Sequence, residues 1–454
     1  MNDFADWLSP IVVKELRQGM RARAFMGIFL AIQFFMIVCV FVSLGSDSNS
    51  LEGVTGLFWF LLGAALLGAM PLRGINSLHG EIKEKTLELM LLTQLSAWRI
   101  TAGKWLALVL QTFLLVCSVL PYVVLRYFIG GVDLIHELIV LGWLIAGSCL
   151  LTALFVGLSP FMKSIVFRII LGACVPLMLI ILMSITVNPR TTVFGPPMAS
   201  WVWAALVIGP LAILELFEVG VGKIAPVAEN HSSRKRLIAL LVCALAAGLG
   251  WALAQRGFFA VIAAMVCTPV MLGALLEENI QIPSLYLPFT RRKLLGRLAG
   301  KFLYPGWATG LLFFTLVAVL FLGFASLKWS DQKVAFNIAA GLEGLLLPLV
   351  LVRLAFRKAR NILPFYLGFQ LMLFVTAIIF SANFSHNDPH LSLIGLVPTM
   401  GFFLHLWGND SFGQLGFAAF NFGAAGVSLV GLFVLSLPGW KSIRAMEREA
   451  DACE

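Results

Sequence analysis

The chain has 454 residues, of which 60% are hydrophobic and 12% charged, with a net charge of +9 and a mean hydropathy of +0.95. That composition excludes a soluble domain of this size and points to an integral membrane protein. The excess of positive charge borders apolar segments, where it meets anionic lipid, and nothing beyond charge suggests nucleic acid, so no nucleic-acid partner is expected.

At the start of the chain, "SPIVVKELRQGMRAR" places Ser9 as N-cap and Pro10 at the first helical position. Leu8, Val12, Leu16 and Met20 recur on one side, with Lys14, Arg17, Gln18 and Arg21 on the other. Residues 1–23 therefore read as an amphipathic helix in the membrane interface, or more simply as a basic flank of the first span. The acids and the Pro before any apolar run are unlike a cleavable signal peptide, so the first span is expected to direct insertion.

The apolar runs that follow are uniform rather than alternating, which argues for helices and against barrel strands. The expected class is all-α, with about twelve spans near 24–45, 54–72, 105–124, 138–160, 165–187, 199–222, 237–254, 257–276, 302–325, 334–352, 362–381 and 412–437. With the N-terminus inside, 27 of the 32 Lys and Arg fall on the cytoplasmic side, which sets the expected orientation. The same rule makes 391–407 a re-entrant helix on the outer side, because a full crossing there would carry Lys441, Arg444 and Arg448 outside.

Between the second and third spans, "GEIKEKTLELMLLTQLSAWRITAGKWL" is a long polar segment expected in the cytoplasm. Leu87, Met90, Leu91 and Leu95 keep a helical period, while Glu81, Lys83, Glu84, Lys85 and Glu88 form a charged face. Such a helix suits docking into a groove on a soluble partner; the plainer alternative is a solvated loop on lipid headgroups.

The run from Ser9 to Asp133, with "LPYVVLRYFIGGVD" closing the third span, resembles the membrane subunits of type-2 ATP-binding-cassette exporters. By that resemblance the first stretch is the interfacial connecting helix, and the second is the coupling helix that carries ATP-driven motion into the membrane. Glu81, Thr86, Leu87, Glu88, Leu91, Leu92, Thr93, Leu95, Ser96, Gly103 and Lys104 follow the family pattern, with Glu84 beside them on the charged face. Lys85 stands where a Gly is common, and Gln94 where a Pro is common. The resemblance implies an ATPase subunit as a separate polypeptide in two copies.

The chain's own Gly-Lys pairs agree with that division of labour. Gly103-Lys104, Gly300-Lys301 and Gly222-Lys223 are followed by Trp105, Phe302 and Ile224, where a nucleotide-binding loop needs Ser or Thr on magnesium. No cofactor is therefore expected in this chain; ATP and magnesium belong to the partner.

A shift of 197 residues pairs Glu81 with Glu278, Thr93 with Thr290, Gly103-Lys104 with Gly300-Lys301, and Trp105-Leu106 with Phe302-Leu303. The chain thus reads as two parallel six-span halves, 24–222 and 237–437, joined by a cytoplasmic linker at 223–236 and followed by a cytoplasmic tail at 438–454. One chain then forms a pseudo-dimer, the alternative being a homodimer. The second coupling segment, Glu278 to Lys301, differs in carrying Pro283 and Pro288 and the basic cluster Arg291, Arg292, Lys293.

Glu343 in the tenth span and Glu215 in the sixth are possible pathway groups, because a carboxylate at membrane depth is costly unless paired, protonated or wetted. His386, Asp388 and His390 give three metal donors without a fourth, and no metal site is expected. Six of the seven Cys lie in apolar spans, which suggests no disulfide framework. The expected function is a permease subunit of an ATP-binding-cassette exporter in a bacterial inner membrane, not itself an enzyme. A membrane-embedded enzyme and a secondary transporter are the competing classes, the latter favoured by inverted repeats.

Overall fold

The computed structural model describes residues 10–45, 48–87, 95–129, 133–164, 168, 198–226, 229–278, 280, 282–291, 293–326, 332–356, 359, 362–383 and 414–452. Among them every regular element is helical, and ten helices are long and apolar enough to cross a membrane, the architecture of a polytopic membrane protein. Ten of the twelve expected spans coincide with these. The eleventh, 362–381, falls on a helix whose apolar stretch Leu363–Thr376 is shorter, and 165–187 apart from Arg168, like 391–407, lies outside the described residues.

The chain divides into two compact units, residues Met1–Pro197 with Leu216–Ala225, and Met198–Glu215 with Pro226–Glu454. Unit 1 contains α1 (Pro10–Arg21), α2 (Arg23–Leu44), α3 (Gly53–Lys83), α4 (Ala97–Ile129) and α5 (Leu134–Leu158). Its core joins Ile32 and Met36 of α2 to Phe58, Leu62 and Leu66 of α3, Leu115 and Val119 of α4, and Leu141 of α5. The opposite side of α2 leaves Leu30, Phe34 and Phe41 exposed, as suits a helix facing lipid. At the end of unit 1 away from α1, Arg126 pairs with Glu137 at 3.0 Å, donates to Thr55 Oγ1 at 2.9 Å and stacks 4.3 Å over Phe58.

Two departures from regular winding re-aim the last turns of α3, a π turn at Ala64–Ala69 and a 3-10 turn at Arg73–Asn76. The amides freed by the second do not go unsatisfied. Leu78 N and His79 N both donate to Ser159 Oγ at 3.0 Å, so the end of α5 holds the end of α3. Gly157 of α5 lies against the backbone of the helix segment Leu216–Ile224, where a Cβ would overlap the Leu216 carbonyl. Small residues let membrane helices meet at backbone distance, and these two do.

A helix at Ser200–Ile224, α6, contributes its residues up to Glu215 to unit 2 and the rest to unit 1. Unit 2 continues with α7 (His231–Ala252), α8 (Arg256–Leu276), α9 (Lys293–Leu303), α10 (Trp307–Ser326), α11 (Gln332–Ala355), α12 (Leu363–Asn383) and α13 (Gln414–Ala452). Asn230 caps α7 by accepting from Ser233 N at 3.1 Å, so the helix starts inside the expected linker, six residues before the expected span. Gly310 of α10 meets the Ala274 carbonyl of α8 with no room for a Cβ. The last helix runs unbroken through Pro438, so the expected tail is the continuation of the final span.

Candidate functional site at the basal ends of the units

The end of unit 1 that carries α1 is its basal end. Here the loop-side turn of α3, Ser77–Lys83, and the start of α4 converge on α1. Lys104, almost wholly buried, places its Nζ 2.8 Å from Glu81 Oε1 and 2.9 Å from Glu15 Oε1. One ammonium thus ties three elements together, with a carboxylate on either side to offset its burial. Gly103 beside it lets α1 close in, since a Cβ there would lie 3.0 Å from Ile11 Cγ2. Arg73 of α3 donates to the Gly19 carbonyl of α1 at 3.2 Å.

The helix at the chain start is therefore amphipathic, as its periodicity indicates, but one side of it is a protein contact. Ile11 and Val12 are buried, and Ile11 shares a cluster with Leu78, Leu87, Ala97, Ile100, Val156, Val221 and Ile224. Leu87 enters that cluster from the segment between α3 and α4. Lys83, Glu84 and Lys85 point outward and are exposed. Thr86 Oγ1 donates to the Glu81 carbonyl at 3.4 Å, and Ser96 Oγ accepts from Arg99 N at 3.3 Å, as an N-cap of α4. Glu88, Leu91, Leu92 and Thr93 lie outside the described residues.

Lys85 has a φ of 57°, in the left-handed region. It follows the C-cap Glu84, whose N–H donates to the Gly80 carbonyl at 3.0 Å. This is the position at which helices commonly end on Gly.

In unit 2 the corresponding end is built around Arg236, fully buried in the first turns of α7. Its Nη1 donates to the carbonyls of Phe302 at 2.9 Å and Tyr304 at 2.7 Å, and its Nη2 to Glu277 Oε2 at 2.8 Å and the Gly306 carbonyl at 3.1 Å. Glu277 is also approached by Lys235 Nζ at 3.2 Å, by the hydroxyl of Ser232 and by Gly306 N at 3.2 Å. Burial works against the charge of Glu277, yet the two cations and these donors outweigh it and hold its carboxyl at about 2. Gly306 sits at a φ of 124°, a conformation that leaves its N–H and carbonyl both turned toward this cluster.

Both units therefore join the end of their second helix to the start of their third, and to the element before or beginning the first, through one buried cation. In unit 1 the cation comes from the third helix, in unit 2 from the first. Of the residues paired by the 197-residue shift, Glu278 and Lys301 are exposed, Thr290 is buried and donates to the Leu287 carbonyl at 3.2 Å, and Gly300 lies against the Tyr304 ring. The acid that pairs with the buried cation of unit 2 is the neighbouring Glu277.

The segment that follows Glu277 is turned by Pro283 into a short 3-10 turn, Pro283–Leu285, and then a single helical turn, Leu287–Thr290. Leu285 and Tyr286 face inward and meet Ile443 and Ala450 of α13, together with Tyr304 and Ala308. The Tyr286 and Tyr304 rings lie 4.6 Å apart, and Tyr286 OH donates to the Ile280 carbonyl at 3.1 Å. Burial, and then the charge of Glu447, push the Tyr286 phenol up to about 12. Arg297 Nη2 reaches Asp451 Oδ2 at 2.6 Å, fastening the far end of α13 to α9.

Glu343 is buried within α11. Glu215 is fully buried in α6, and neither of its oxygens has a hydrogen-bond partner among the described residues. No group of three or more metal-ligating side chains occurs among the described residues, and His386, Asp388 and His390 lie outside them. Glu15, Arg236 and Glu277 were not among the expected site residues. Each pairs with residues tens of positions away in sequence, which local spacing does not report. No protein-family model, no curated protein and no solved structure matches the chain.

Proposed function

We propose that the chain is the permease subunit of an ATP-binding-cassette transporter of the type-2 exporter class, driven by a separate ATPase that binds ATP and magnesium. The observation that carries this reading is the Lys104 junction. It joins α1, the end of α3 and the start of α4 into one piece, and the exposed residues Lys83 to Lys85 lie next to it in the chain. A displacement applied there reaches three membrane elements together, because the buried charge cannot separate from Glu81 and Glu15 without a large desolvation cost. The exposed Lys83, Glu84 and Lys85 supply the polar rim that a soluble partner meets first.

In this reading the basal ends face the cytoplasm of a bacterial inner membrane, twelve helices cross it, and the two units act as parallel halves of one pathway with two ATPase copies. The contact of α13 with residues 280–290 supports the topology, since it brings the chain end to the side on which α8 finishes. Glu215 and Glu343 are then the buried carboxylates nearest to a substrate route.

The test is co-expression with an ATPase encoded beside this chain. Wild-type protein retains that ATPase through purification and stimulates its ATP hydrolysis. Glu88→Lys combined with Leu91→Asp stays inserted but loses at least tenfold in capture, because it reverses one charge and removes one apolar contact. Equal capture by the variant, or no capture by the wild type, removes the assignment.

A further inference from the structure

Resting on that reading, we infer that the two basal segments are not equivalent docking sites: the second, residues 277–291, is closed by residues 440–452 of α13, and the ATPase engages the first alone. In the first segment the outward side, Lys83 to Lys85, carries exposed charge, and among its described residues Ile82, Leu87 and Leu95 turn in. The second has spent its apolar side chains on α13. Leu285 and Tyr286 are buried against Ile443 and Ala450, with Leu287 and Phe289 packed beside Trp440 and Met446. These are the groups that a partner groove would have to take up.

The prolines explain why the second segment presents itself this way. Pro283 and Pro288 each begin a short turn and prevent one continuous amphipathic helix, so Leu285 and Tyr286 fall side by side facing α13. The extension is matched in length to the task. It runs from Trp440, beside the membrane end, to Asp451, which pairs with Arg297 of α9. That pair is half exposed and contributes little, so the apolar contacts of Ile443 and Ala450 carry the closure. Among the described residues from 277 to 291, what remains outward is Glu278, Ser284, Pro288 and Arg291, too small an apolar surface for a partner anchor, and the exposed Leu295 and Leu298 lie beyond it on α9.

The experiment places a photo-crosslinking amino acid at Lys85 or at Ser284, both exposed, in the full chain co-expressed with its ATPase. The expected result is an ATPase adduct from position 85 and at least tenfold less from position 284. Ile443→Asp with Asp451→Arg, which expels the extension, then raises the adduct from 284 toward that from 85. Equal adducts from both positions in the wild type overturn the closure and leave the permease assignment standing. No adduct from either overturns both. A measurement without the ATPase guards against an unstable variant: Arg297→Cys with Asp451→Cys, treated in membranes with a short bifunctional maleimide, gives the intramolecular cross-linked peptide by mass spectrometry. Its absence, with both cysteines accessible singly, also overturns the closure.

Discussion

Lys85 shows how much a single backbone angle says. A non-glycine residue at a φ of 57° pays for its Cβ in the left-handed region, at a cost of about 1 kcal/mol. Its side chain is exposed, so nothing in packing repays that cost. Lys85→Gly is therefore expected to raise the thermal stability of the detergent-solubilised protein by up to about 1 kcal/mol, and Lys85→Val to lower it by at least as much. A fall in unfolding temperature for the glycine variant would show that the Lys side chain holds the turn. The resemblance places a Gly at this position, so the departure seen in the sequence coincides with the one point of the segment where the backbone asks for glycine. The other departure, Gln94, lies outside the described residues.

The elements divide into those that pattern reveals and those that only pairing reveals. Uniform apolar runs locate membrane helices well, because length and hydropathy are the whole requirement, and ten expected spans meet helices of the right kind. The amphipathic stripe of α1 was equally legible, but a stripe reads the same whether lipid or protein lies under it. What decides is Glu15, which reaches Lys104 across 89 positions of sequence, and no local period reports that. The shift of 197 residues failed to find the ion pair of unit 2 for a related reason: it matches like with like, whereas the cation has moved from the third helix to the first. The tail beyond residue 437 reads as separate because the apolar run of the expected span ends there; the helix continues past it, held by Ile443 and Ala450. For α1 the consequence is specific. Lys104→Met strands Glu15 and Glu81, each only partly exposed, at a cost of about 2–3 kcal/mol. Trypsin should then cut at Arg21 and Arg23 several-fold faster than in the wild type, while Glu15→Leu, which leaves the Lys104–Glu81 pair, should show a smaller effect. Unchanged proteolysis of the Lys104 variant would mean that Ile11 and Val12 alone hold α1.

At the scale of the whole molecule, two units of similar construction in one chain predict the stoichiometry of the proposed complex. A chain that supplies both halves of a pathway needs no second copy, and native mass spectrometry of the purified complex should give one copy with two ATPase subunits. Two copies of the chain per ATPase pair would assign the pathway to a homodimer instead.

The packing of α13 also sets an order in time. In unit 1 part of the cover of Leu78 and Leu87 comes from Ile11 of α1, made before either residue leaves the ribosome. In unit 2 Leu285 and Tyr286 wait for Ile443 and Ala450, roughly 160 residues later, or about 8–30 s at ordinary rates of synthesis. For that interval the nascent chain holds an uncovered apolar turn, and a chain that stalls before residue 440 keeps it uncovered. Unit 2 thus stays open until Ile443 and Ala450 are made, and its uncovered turn is a mark by which a chaperone or protease can tell a chain that has not reached them.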